Sequence, residues 1–127
     1  MNYSAFQVAL TIYYAAMKTL ELINEIIATY QRHGWNLKRV LLRLATRAEF
    51  NHQARELLKE ARFVDAEFDA LWFARPSHQG REAWELRLLA EQQYALCEAF
   101  EPDETEEERE EARREMENRM REHATQS

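Results

Sequence analysis

The chain has 127 residues, 46% of them hydrophobic, with 17 Lys and Arg against 23 Asp and Glu for a formal net charge of −6. Length and composition predict one domain with its own core, and the single cysteine, Cys97, excludes an intramolecular disulfide and the paired Cys/His patterns of structural zinc. A reducing, cytoplasmic setting is expected, without membrane association, because the longest apolar run, residues 5–17, is too short to span a bilayer and residues 1–17 contain no Lys or Arg.

Ser4 with Gln7 three residues on has the form of a capping box, and Phe6, Ala9, Tyr13, Met17, Leu20, Ile23, Ile27 and Tyr30 then recur at three- and four-residue steps. The spacing predicts one helix of about 29 residues, roughly 43 Å long, ended by Gly34. Val8, Leu10, Ile12, Tyr14, Leu22 and Ile26 widen its apolar stripe. A rod of this length outruns the cover the remaining chain can give it, which points to a projecting end or a partner.

Asn36 is placed to cap a second helix with Leu37, Val40, Leu41 and Leu44 on one face. Val40-Leu41-Leu42 also suits a short strand, but helix is the reading adopted. Thr46 with Glu49 supplies a fresh capping box, and Phe50, Ala54, Leu57, Leu58 and Ala61 share a different face, so a third helix is expected over 47–61.

From Phe63 onward, composition and pattern disagree. Residues 81–100 contain no Val, Ile or Thr and are rich in helix formers. Yet Trp84, Leu86 and Leu88 alternate with Glu85 and Arg87, and Tyr94, Leu96 and Phe100 lie opposite Ala95, Cys97 and Ala99. Alternation predicts an antiparallel meander with strands near 69–75, 82–89 and 94–100, and with Cys97 as a small buried thiol. The last helix, over about 106–123, is capped by Thr105 with Glu108 and carries a narrow apolar stripe of Ala112, Met116 and Met120. So narrow a face predicts light packing, projection into solvent, or docking on another protein.

The fold expected from these elements is helix-dominant α+β. A long N-terminal helix and two shorter ones pack on a small three-stranded antiparallel meander, followed by an acidic helix; an all-α bundle is the alternative. Residues 1–101 form the globular domain and 102–127 the acidic helix or tail.

Residues 101–127 carry eleven acids and five arginines, whereas residues 1–100 are neutral, and the segment 32–62 holds eight basic side chains against three acidic ones. Arg32, Lys38, Arg39, Arg43 and Arg47 are therefore candidate phosphate contacts, with Trp35 available to stack on a base. The same cations suit an acidic protein surface, including the chain's own last helix.

Glu49, His52 and Glu56 share one face of the third helix, and Glu-x-x-His is the spacing of carboxylate-bridged di-metal bundles. That motif works in pairs and has no second copy here, so a solvated helix face is the plainer reading. Two glycines permit no phosphate-cradling loop, and the four histidines are scattered with no triad pattern around them. Neither a cofactor nor an enzymatic activity is expected.

The expected function is a non-enzymatic protein–protein interaction or oligomerising module, with a small acidic inhibitor or accessory protein as one form of it. Its partner-binding candidates are Tyr13, Tyr14, Ala112, Met116 and Met120. The alternative is a nucleic-acid-associated subunit of a larger complex, contacting phosphates through the basic 32–47 segment.

Overall fold

The computed structural model describes residues 4–50 and 52–126, without the side chains at positions 9, 11–17, 53 and 57. Along the chain, helix α1 (Ala5–Arg32) leads into strand β1 (Asn36–Leu42), the short helices α2 (Leu44–Glu49) and α3 (His52–Leu57), and strand β2 (Arg62–Asp65). Strand β3 (Ala70–Pro76), a 3-10 turn at His78–Gly80, strands β4 (Glu82–Leu88) and β5 (Ala95–Phe100), and helix α4 (Glu106–Thr125) follow. The strands form one mixed sheet in the order β2-β1-β3-β4-β5, with β2 parallel to β1 and every other pair antiparallel.

This α+β fold is organised by its sheet, which corrects the expected helix-dominant arrangement on a three-stranded meander and excludes the all-α bundle. The meander exists as β3-β4-β5. Two further strands join it from segments read as helix and as connection. Val40, Leu41 and Leu42 are buried on both sheet faces, Val40 and Leu42 in one core and Leu41 in the other. A strand covered on both sides loses its polar alternation, and a short apolar run of that kind is indistinguishable from a helix by periodicity. The parallel β1–β2 pair needs a crossover connection, which α2 and α3 supply in place of the single third helix expected over 47–61.

Helices cover both faces. On one, Ile23 and Ile26 of α1 meet Val40, Leu42, Leu71 and Phe73 of the sheet and Phe50, Ala54 and Leu58 of the crossover. On the other, Met116 and Met120 of α4 meet Leu41, Trp72, Trp84, Leu86 and Phe100.

Polar contacts widen the grip of the narrow α4 stripe. The Arg113 guanidinium, 2% exposed, lies 3.9 Å from the Trp84 ring centroid and bonds Glu106 and Glu110 at 2.8 Å. Trp72 donates its indole N–H to Glu117 at 2.8 Å, and His123 stacks on Tyr94. Cation–π and charge-assisted contacts in a shielded setting hold what two methionines alone would hold loosely.

The ends of α1 are built locally. Ser4 and Gln7 form the reciprocal capping box. At the other end, Gly34 adopts φ +84°, its N–H bonds the Gln31 carbonyl, and the Trp35 N–H reaches back to the Tyr30 carbonyl, both at 3.0 Å. This is the Schellman pattern, completed by the edge-on packing of Trp35 against Tyr30.

Candidate functional site

The basic segment does not form one cationic strip. Placed on a strand and a following helix rather than on one helix, its side chains diverge. Arg39 lies on the α4 side, bonded to Glu110 at 2.8 and 3.1 Å. Arg43 binds Asp69 through its backbone N–H and its guanidinium, at 2.8 to 3.2 Å. Arg47 reaches Asp65 at 2.6 Å and lies over Phe63, which packs against the α1-side core. Arg32 bonds Thr29 at the end of α1, and Lys38 stands exposed where the β1–β3 register shifts. Three of the five candidate phosphate contacts thus already hold carboxylates of their own chain.

Glu49 and His52 fall on separate helices, because α2 ends at Glu49 and α3 begins at His52. His52 approaches Glu56 at 3.9 Å, and Glu56 also meets Lys59 at 3.6 Å. Among the described residues no group of three or more His, Cys, Asp or Glu is arranged to hold a metal ion.

Of the partner-binding candidates, Met116 and Met120 are buried on the sheet and Ala112 packs beside them. Tyr13 and Tyr14 belong to α1, but their side chains lie outside the described residues. Among the described residues, the large apolar side chains that stand in solvent are Phe6, Val8 and Leu10, early in α1, and Leu44 at the start of α2. Among the described residues no helix is long and apolar enough to cross a membrane.

A group that sequence reasoning did not single out sits where α1 leaves the sheet uncovered. Tyr30 stacks on Phe73 with ring centroids 4.1 Å apart, and its hydroxyl donates to Glu85. Burial, followed by the hydrogen bond to the Glu85 carboxylate, pushes the phenol well above its ordinary range. Cys97 pairs with Glu85 across β4 and β5, on the same sheet face.

Cys97 is exposed, which corrects the expectation of a buried thiol. The α1-side core is built from β1 and β3, so the matching face of β5, with Ala95, Cys97 and Ala99, stays open. Partial desolvation and then the Glu85 charge raise the thiol pKa. Next along β4 comes Arg87, buried, and lining a cleft between α1 and the β4–β5 connection. The alternation of Glu85 and Arg87 with Trp84 and Leu86 was the legible signal for this face, but it reads as a solvated side until α1 is set against it.

Comparison with protein-family models, with curated proteins and with solved structures finds no match to the chain.

Proposed function

We propose that the protein is a non-enzymatic interaction module that associates with a second copy of itself through the first half of α1. The observation that carries this reading is the exposure of Phe6, Val8 and Leu10, at 76%, 46% and 56%. Phe6 and Leu10 share a face, and Val8 lies on the opposite side with Gln7 between them, so apolar groups stand on two sides of the helix there.

The 28-residue helix is about 42 Å long, against about 23 Å for a seven-residue strand of the sheet. Among the described residues, its contacts with the α1-side core run from Leu20 to Tyr30. Exposed apolar surface of this kind is a docking feature, and burying each large side chain contributes about 1.5–3 kcal/mol. A second copy suits the surface because residues 1–17 contain no charged side chain, whereas the net charge of −6 is carried by residues 101–127. Two such arms meet without like-charge repulsion.

Light scattering coupled to size exclusion tests this on the full chain. The expected mass is a multiple of 15.2 kDa, reduced to the monomer by Phe6→Glu with Leu10→Glu. A wild-type chain that runs as a monomer at every concentration ends the self-association reading. Salt-sensitive co-elution of material absorbing at 260 nm would instead favour the nucleic-acid alternative.

A further inference from the structure

Arg87 has no part in that association. Its residue is 8% exposed, and among the described residues its guanidinium makes one hydrogen bond, from Nη1 to the Leu88 carbonyl at 2.9 Å. No carboxylate of the described residues lies within ion-pair distance of it. Glu85, two residues before it on the same face, accepts from Tyr30 instead. The other buried arginine, Arg113, shows the ordinary arrangement, with two carboxylates at 2.8 Å. A guanidinium has five N–H donors, and sheltering it without a counter-charge is unfavourable. Such a group beside a cleft is suited to a ligand that brings the missing anion.

The cleft has a volume of about 290 Å³. Leu22 and Ile26 of α1 give it an apolar wall, Tyr30 and Arg87 line it, and Glu25 and Glu91 add two acids. We propose that it binds a small zwitterion, an amino-acid-like molecule whose carboxylate pairs with Arg87 and whose ammonium group is held by Glu25 and Glu91.

Three features select this class. Arginine takes a carboxylate in two parallel hydrogen bonds. The two glutamates would repel a simple anion such as phosphate, whereas the ammonium group of a zwitterion gives them a cation to hold. The volume is at the lower end for small-molecule sites, suited to one amino acid rather than a nucleotide, and the Leu22–Ile26 wall suits an aliphatic side chain.

Isothermal titration of the full chain with L-leucine is the direct test, beside 4-methylpentanoate, which lacks the ammonium group, 3-methylbutylamine, which lacks the carboxylate, and inorganic phosphate. Leucine is expected to bind, and each of the other three more weakly by about tenfold or more. Arg87→Gln and the surface variant Glu91→Gln should each weaken leucine by a similar factor. Equal binding of the two half-molecules, no binding of leucine, or unchanged affinity in both variants overturns the proposal. Arg87→Met, which keeps the bulk without the charge, should lose leucine binding and melt no lower than the wild type. A large fall in its Tm would assign Arg87 to the fold and equally overturn the proposal.

Discussion

Arg39 of β1 grips Glu110 of α4 with both terminal guanidinium nitrogens, at 3.1 and 2.8 Å, across 71 residues of sequence. Arg113 donates to the same carboxylate at 2.8 Å. The attraction between the basic centre and the acidic end of the chain is therefore satisfied here within one molecule, and it fixes how α4 lies on the sheet.

Glu110 makes that contact pH-dependent. The hydrogen bond from Arg39, opposed by burial and aided by Arg113, brings its carboxyl down to about 2 from an ordinary 4.5. A folded-state pKa below the unfolded one means that the stabilisation is complete above pH 4.5 and is lost as the pH falls through about 2. The carboxylate side chain is 37% exposed, and solvent screening reduces the contribution to about 1 kcal/mol. Glu110→Gln is expected to lower Tm by about 4 °C at pH 7, with the gap from wild type closing between pH 4.5 and 2. Melting curves followed by circular dichroism across that range check it; a gap that persists unchanged at pH 2 assigns the loss to something other than this charge.

If α4 is a full layer of the core, damage to its inner face should unfold the protein. Met120 is completely buried among sheet residues, so Met120→Ala should cost about 2–4 kcal/mol in urea denaturation. Ending the chain at Pro102 removes the cover from Trp72, Leu86 and Phe100. We expect the shortened chain to bind a hydrophobic dye and to lose its cooperative transition. A sharp, dye-free transition in that chain would show residues 1–102 to be self-sufficient.

Much of the fold was legible where an element showed one face to water. Ser4 and Thr105 mark their helices through side-chain caps, and Gly34 marks the end of α1 because only a residue at ease with positive φ closes a Schellman turn without strain. Trp84, Leu86 and Leu88 reveal β4 by alternating with polar neighbours. Legibility failed where tertiary cover erased the period: Val40, Leu41 and Leu42 are apolar on both faces because α1 and α4 lie on either side of them. The candidate cleft was hidden for a related reason, since Arg87 has the sequence context of a solvated residue and the cleft beside it is closed by α1, remote in the chain.

Cys97 allows the open half of the sheet to be examined without touching the core. Its position on the uncovered face of β5 makes access easy, while partial desolvation and the Glu85 carboxylate hold its pKa above the ordinary thiol value. Only the thiolate reacts, so alkylation by iodoacetamide at pH 8 should run slower than that of a free model thiol by about twofold or more. Glu85→Gln removes the neighbouring charge and leaves an amide for Tyr30 to bond, and it should bring the rate closer to the model thiol. The proportionate gain with rising pH should be steeper for wild type, because its thiol titrates later. A wild-type rate equal to that of the model thiol would mean that neither desolvation nor the Glu85 carboxylate raises the thiol pKa.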